Sequence, residues 1–194
     1  MIAIVQYNAG NIQSVLFALE RLGIQAVVTD DPETLLSADK VIFPGVGEAG
    51  SAMQYLRAKG LDQVLPAIRQ PFLGICLGMQ LMCTHSEESN TACLGIFPNT
   101  VQKFIADPIH KVPQMGWNTI TRLQEPLFRN IPEASYVYMV HSYYAGISTQ
   151  TAAVCSYIQP YSAALQRDNF YGVQFHPEKS AATGEQVLQN FLSL

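Results

Sequence analysis

Phe72-Leu73-Gly74-Ile75-Cys76-Leu77-Gly78-Met79-Gln80 sets a thiol between two glycines where an apolar strand turns into a helix. Gly-x-Cys-x-Gly fits the elbow in which glycines leave room for a strained turn that exposes a nucleophile. Three effects converge on the Cys76 sulfur: the helix N-terminus favours a thiolate, the turn makes it accessible, and the Leu77 N–H is available to an oxyanion. On the pentapeptide alone, a buried cysteine that merely neighbours two glycines competes equally with this reading.

The same strand-to-helix alternation runs outward from the elbow. Ile2-Ala3-Ile4-Val5 is a buried-strand run, and Ile12, Val15, Leu16, Leu19 and Leu22 then recur at helical spacing until Gly23. Ala26-Val27-Val28 is the next strand, and Asp31 caps a short helix with Pro32 at its first position. Val41-Ile42-Phe43 runs into the turn Pro44-Gly45-Val46-Gly47, and residues 49–59 are helical before Gly60. Such alternation predicts an α/β fold with an open, mostly parallel central sheet, helices on both faces, and ligands at the carboxyl ends of its strands. In the second half, strand signals at Val101–Ile105, Trp117–Ile120, Tyr136–Val140, Ala152–Ile158 and Tyr171–Phe175 predict extra antiparallel strands at one side of the sheet. Thr183-Gly184-Glu185-Gln186 fits a capping box ahead of a final helix that carries Val187, Leu188, Phe191 and Leu192 on one face.

Composition narrows the function classes. A chain of 194 residues suits one domain, 1–194, with a sizeable core. Hydrophobic residues make up 48% and charged residues only 13%, which leaves room for an apolar surface facing a partner. With a net charge of -4 and no run of Lys and Arg, nucleic acid is not expected as a partner. The N-terminus has no secretory pattern and no apolar run approaches the roughly 20 residues needed to cross a bilayer, so a soluble cytoplasmic chain without membrane contact is expected. Cys76, Cys83, Cys93 and Cys155 form no CxxC pair and no metal-ligand spacing with His, which predicts free thiols and no metal.

A nucleophilic cysteine needs a base, and the base an orienting group. Phe175-His176-Pro177-Glu178 supplies both: in an extended segment the i, i+2 spacing turns imidazole and carboxylate to the same side, and Pro177 stiffens the backbone between them. His85, in a polar run, reads as a solvated helix end, His110 as a loop residue, and His141 as a hydrogen-bonding residue at a strand end. Cys83, Cys93 and Cys155 read as small packing residues.

The segments Phe72–Gln80 and Phe175–Glu178 together closely resemble the class I (triad) glutamine amidotransferases across essentially the whole chain. Further segments resemble in particular the separate glutaminase subunits of imidazole glycerol phosphate synthases. These are Tyr7-Asn8-Ala9-Gly10-Asn11 with Ser14, Pro44–Gly47, Pro113-Gln114-Met115-Gly116-Trp117-Asn118 and Val140-His141-Ser142-Tyr143-Tyr144. Gln114 and Ser142 stand where relatives can carry His and Thr.

The resemblance implies a flavodoxin-like class I glutaminase fold and a cofactor-free reaction. L-Glutamine would be attacked by Cys76 with His176 as base and Glu178 as its orienter. Oxyanion donors would come from the backbone of Leu77 and of the turn at Val46 and Gly47. Gly47, Gln80, Glu88, Ser142 and Tyr143 would hold the amino-acid end of the substrate. The ammonia would pass to a separate (β/α)8-barrel cyclase subunit in a heterodimer, because so short a chain leaves no room for a synthase domain. Asn11, Ser14, Trp117, Tyr138 and Lys179 would face that subunit, although Trp117 reads equally well as a core residue. The family further implies that the oxyanion turn is not set until the partner carries its ligand. Alternatives are a glutaminase serving another synthase (anthranilate, aminodeoxychorismate, carbamoyl phosphate, guanylate or pyridoxal phosphate), or a stand-alone γ-glutamyl hydrolase. A flavodoxin-like binding module is a weaker alternative, because its phosphate cradle would need more than the one glycine and the single Tyr7 hydroxyl of residues 6–13.

Overall fold

Ile2, Ala3, Ile4 and Val5 are all buried, but they serve two different cores: Ile2 and Ile4 pack to one side of the sheet, Ala3 and Val5 to the other. A strand apolar at every position is what a sheet covered on both faces requires. The computed structural model describes residues 1–7 and 11–194, and Asn8, Ala9 and Gly10 of the first resemblance motif lie outside the described residues.

In chain order the first half runs β1 (Ile2–Val5), α1 (Ile12–Arg21), β2 (Ala26–Thr29), α2 (Pro32–Ser37), β3 (Lys40–Phe43), α3 (Ala49–Ala58), α4 (Leu61–Val64), β4 (Phe72–Ile75) and α5 (Leu77–Leu81). Asp31 caps α2 as expected, accepting the Thr34 N–H at 2.9 Å. The second half adds β5 (His85–Ser86), β6 (Thr91–Ala92), β7 (Thr100–Lys103), β8 (Gln114–Ile120), β9 (Ser135–His141), β10 (Tyr143–Ala145), β11 (Thr151–Ser156), β12 (Pro160–Arg167), β13 (Phe170–Val173) and α6 (Ala181–Leu192).

The main sheet has the order β11-β12-β13-β4-β3-β1-β2. Its strands from β13 to β2 are parallel, and β12 and β11 extend it antiparallel at one side; of the five second-half segments expected there only Ala152–Ile158 (β11) is such a strand, since β13 is parallel and β7, β8 and β9 lie in other sheets. On one face lie α1 and α6, through Val15, Leu19, Val187 and Phe191. On the other lie α2 to α5, through Leu35, Met53, Leu56, Leu61 and Met79. A small sheet, β10-β7-β5-β6, and a two-stranded ribbon, β8-β9, complete the described residues.

Several local expectations need correction. His85 sits in β5 and not at a helix end. The final helix starts at Ala181, and Thr183 lies inside it, so there is no capping box. The preceding Ser180 hydroxyl instead donates to the His176 carbonyl at 2.6 Å and accepts the Tyr138 N–H at 2.9 Å, which ties the helix to the strands before it. β12 has no counterpart in the sequence reading because Ser162, Ala163 and Ala164 carry little strand signal; they are wholly buried between β11 and β13, where tertiary context decides.

The two glycines around Cys76 serve close packing. A Cβ on Gly78 would run into the Phe43 carbonyl oxygen at the end of β3, and one on Gly74 would meet the Met82 sulfur and, at 2.8 Å, the Met79 nitrogen. Gly78→Ala is expected to lower stability by about 1–3 kcal/mol through this overpacking. Alanine's helix preference opposes the loss by only about 1 kcal/mol. The measurement is the urea midpoint at unchanged m-value; an undiminished midpoint would show that α5 can slide away from β3.

Candidate active site

β13, β4 and β3 are neighbours in the sheet and parallel, so their carboxyl ends open side by side. From them emerge His176, Cys76 and the Pro44–Gly47 turn. Three distant stretches of sequence are thus brought to one edge by register alone.

Cys76 follows β4 directly, at φ 53° and ψ -110°, a left-handed conformation that costs on the order of 1–3 kcal/mol for a residue with a Cβ. Its N–H is held by the Val173 carbonyl at 2.8 Å and its carbonyl accepts the Gln80 N–H at 3.1 Å, so strand and helix clamp the strained residue from both sides. Cys76 is 6% exposed, and the Gln174 amide nitrogen approaches its sulfur to 3.6 Å.

His176 and Glu178 are brought together, by a route other than the one anticipated. His176 is extended, but Glu178 lies in a 3-10 turn, Pro177–Lys179, which folds the carboxylate back so that its Oε1 stands 2.7 Å from His176 Nδ1. Both side chains are sealed, at 2% and 1% exposure. Burial by itself would lower the His176 pKa; the Cys76 sulfur and the Glu178 carboxylate together outweigh it and raise the value to about 10. His176 Nε2 is buried without a hydrogen-bond partner among the described residues, although the ring lies close enough to Cys76 for this electrostatic coupling.

The oxyanion position is occupied by the chain itself. The Leu77 N–H is not free: it donates to the Gly45 carbonyl at 3.3 Å. The turn behind it is pinned by the Tyr7 hydroxyl, which donates to the Pro44 carbonyl at 2.7 Å. Val46 is partly exposed and Gly47 sits at φ 126°, a conformation that only glycine adopts readily.

A cavity of about 290 Å³ opens over Cys76. Its lining includes every residue expected to hold a substrate: Gly47, Gln80, Glu88, Ser142 and Tyr143. Glu88 is half-buried, its Oε2 accepts the Ala49 N–H at 2.9 Å, and desolvation raises its pKa. Gln80 is buried, and its amide nitrogen donates to the Tyr143 carbonyl and to Gln174 Oε1, both at 2.9 Å. Pro113, Val140 and His141 also line the cavity and Gln174 stands behind it; the first three fall in the resemblance segments but none of the four was expected as a site residue. Gln174 lies two residues before His176, just past the end of β13, and no sequence motif marks it.

Of the remaining histidines, His110 pairs with Asp107 at 2.9 Å on the surface, and His141 makes hydrogen bonds at the end of β9, as read. Cys83 and Cys155 are buried, and burial pushes the half-buried Cys93 thiol up to about 11. Trp117 is 53% exposed and is no core residue; it stacks edge-on against Tyr138 with ring centroids 5.9 Å apart. A groove of about 460 Å³ runs from Trp117 past Lys179 and Arg21 and is floored by Glu178. Ser14 donates to Asn11 at 2.7 Å at the start of α1. No helix among the described residues is long and apolar enough to cross a membrane, and no cluster of His, Cys, Asp or Glu among them is arranged to hold a metal.

Comparison with known proteins matches this geometry. The family model described as glutamine amidotransferase class-I matches residues 3–194. The imidazole glycerol phosphate synthase subunit HisH of Bacteroides thetaiotaomicron is 58% identical over 194 residues, covering 100% of this chain and 99% of that one. The protein of the same name from Colwellia psychrerythraea is 45% identical, covering 98% of this chain and 92% of its own. Among solved structures, a glutamine amidotransferase superposes with a TM-score of 0.76 at 16% identity, covering 100% of this chain and 98% of that one. Another, from Thermotoga maritima, superposes with a TM-score of 0.62 at 17% identity, covering 99% and 82%. At such identities the structures speak to the fold alone, whereas the full-length family match and the close relatives speak to descent. With a nucleophile elbow, a buried His–Glu pair and a cavity over the thiol already in place, this chain belongs to the class-I glutamine amidotransferase family.

Proposed function

We propose that residues 1–194 form a single amidotransferase domain, the glutaminase subunit of imidazole glycerol phosphate synthase, which acts in histidine biosynthesis. It hydrolyses L-glutamine and delivers the ammonia to a (β/α)8-barrel cyclase subunit. The observation that carries this reading is the Cys76 elbow set beside the buried His176–Glu178 pair, in a chain 58% identical to a protein named as that subunit.

In this reading the Cys76 sulfur adds to the side-chain amide carbon of glutamine with its proton already held on His176, whose raised pKa favours the imidazolium. Glu178, fixed on Nδ1, stabilises that imidazolium. His176 then returns the proton to the amide nitrogen, the C–N bond breaks, and ammonia leaves a γ-glutamyl thioester on Cys76. Water adds to the thioester with His176 taking its proton; collapse of that adduct releases glutamate and restores the starting state of Cys76 and His176.

The oxyanion formed at each addition needs donors that the resting turn withholds, since Gly45 offers its carbonyl to the Leu77 N–H. Rotation of the Gly45–Val46 peptide would turn that carbonyl out, bring the Val46 N–H in and free Leu77. A turn that rests closed supports a subunit that waits for its partner over a hydrolase that works alone. The exposed Trp117 ring, backed edge-on by the half-buried Tyr138, offers with Lys179 an apolar, cationic-rimmed surface for that partner. Asn11 and Ser14 are placed in the same interface on the sequence resemblance.

Glutamate release by the purified chain is expected to be slow alone and to rise when the barrel subunit and its nucleotide-like ligand are added together; fast turnover without a partner would overturn the subunit reading. Cys76→Ala should abolish glutamine-dependent synthesis by the pair yet leave synthesis from added ammonium intact. Glu178→Gln removes an anion from His176, so the imidazole pKa, followed by NMR titration, should fall from its raised value. Glutaminase turnover should drop with it by about three to four orders of magnitude. Val46→Pro deletes the donor that the rotated peptide would supply, and a loss of at least about a hundredfold in glutaminase rate is expected with ammonium-dependent synthesis unchanged. Wild-type glutaminase in that variant would mean that the Val46 N–H never meets the oxyanion.

A further inference from the structure

Behind the cavity runs a line of buried polar groups whose hydrogen-bond directions are forced. The Tyr143 carbonyl, which can only accept, lies 2.7 Å from His141 Nδ1 and 2.9 Å from the Gln80 amide nitrogen. His141 therefore carries a proton on Nδ1, and Gln80 has its nitrogen and not its oxygen toward the carbonyl. Burial lowers the His141 pKa to about 4, the Tyr143 carbonyl opposing and the His176 charge reinforcing the shift, so at neutral pH Nε2 is a bare lone pair.

The Tyr161 hydroxyl sits 3.2 Å from that lone pair and 2.9 Å from the Gln114 side chain. Its one proton has two other acceptors in reach, that lone pair and the Met139 sulfur at 3.5 Å; the thioether is the weaker of them, so the proton goes to His141. Tyr161 must then accept from Gln114, and the Gln114 nitrogen is a buried donor with no partner among the described residues. Turning the Gln114 amide over gives Tyr161 the N–H it needs and moves the amide oxygen to the unpartnered position, where no buried N–H is left without an acceptor on that side.

We propose that His141, locked as its Nδ1–H tautomer by a Gln114-to-Tyr161-to-His141 relay, is a positioning residue that fixes the Tyr143 carbonyl and through it the orientation of the Gln80 amide in the glutamine pocket. Gln80 spends its second N–H on Gln174 Oε1 at 2.9 Å, and the Gln174 nitrogen in turn reaches the Cys76 sulfur at 3.6 Å. With its nitrogen committed, Gln80 has only its oxygen to offer the cavity that it lines, and that oxygen accepts nothing among the described residues. An acceptor near Glu88 suits the α-ammonium group of the substrate, whereas an amide turned the other way would present N–H groups and repel it. The inference rests on glutamine being the substrate.

Two measurements test it. Imidazole 15N spectra of the Cys76→Ala chain at pH 7.5 should report His141 protonated on Nδ1 alone; an imidazolium or an Nε2–H tautomer would overturn the relay. Chemical-shift titrations of the same chain then compare glutamine with glutaramate, which is glutamine without its ammonium group. Tyr161→Phe keeps the ring in the core and removes only the proton donor. It should weaken glutamine binding roughly three- to tenfold and leave glutaramate binding unchanged. Equal loss for both ligands, or no loss for glutamine, would overturn the positioning role. His141→Asn, whose amide N–H falls near the place of Nδ1, should keep the preference for glutamine over glutaramate that His141→Ala loses; a purely packing role would leave the two variants alike. Glutamine binding absent from the Cys76→Ala chain itself would instead sink the glutaminase reading and the positioning role with it.

Discussion

The hydrogen bond from the Cys76 N–H to the Val173 carbonyl, 2.8 Å long, is where fold and chemistry meet. It is the last rung of the parallel ladder in which Val173 stands opposite Ile75, so it fixes the start of the elbow against the strand that delivers His176. A slip of two residues between β4 and β13 would keep every side chain on its proper face and yet carry the imidazole some 7 Å away from the sulfur. The core alone therefore does not guarantee the site. The ladder is held in register from outside by Asn169, whose side-chain amide donates to the carbonyls of Ile68 and Gln70 at 3.0 and 2.9 Å, and by the Phe72 N–H on the Asn169 carbonyl at 2.9 Å.

That rung also explains how a residue at φ 53° is tolerated at all. The strain at Cys76 is of the same order as one or two buried backbone hydrogen bonds, and the residue makes two, to Val173 and from Gln80. Gly74 and Gly78 contribute by what they lack. Without their hydrogens in place of methyl groups, α5 could not approach β3 and β4 closely enough for either bond to form.

The parallel half of the fold was legible because its strands are apolar at every position and its turns carry Pro and Gly, so local chemistry and burial agree at Ile2–Val5, Val41–Phe43 and Phe72–Ile75. β12 was not, because Ser162 and Ala164 become strand residues only through neighbours supplied by β11 and β13. The triad was legible as two motifs, since a thiol between glycines and a His-Pro-Glu segment each have a chemical reason to exist; its geometry was half wrong, because the 3-10 turn at Pro177 depends on Ser180 gripping the His176 carbonyl. The Gln174, His141 and Tyr161 contacts were out of reach, since each depends on which groups the sheet brings opposite one another. A glutamine two residues before a histidine looks like any other until the Cys76 sulfur is found 3.6 Å from its nitrogen.

The closed oxyanion turn gains its meaning from the size of what closes it. The Leu77-to-Gly45 bond is long at 3.3 Å, and an ordinary bond of this kind contributes a net stabilisation of only about 1 kcal/mol. In the proposed mechanism the peptide that rotates lies between Gly45 and Val46, with the permissive Gly47 next in line, so the chain would impose little further resistance of its own. A partner that prefers the rotated state a hundredfold supplies about 2.7 kcal/mol, enough to invert a resting equilibrium of ten to one against it. Tyr7, buried and hydrogen-bonded to the Pro44 carbonyl, anchors the turn just before the rotating peptide and so confines the movement to it. A weak latch beside a fixed post can be thrown by a modest binding signal while the triad, sealed in its own ladder, stays where it is.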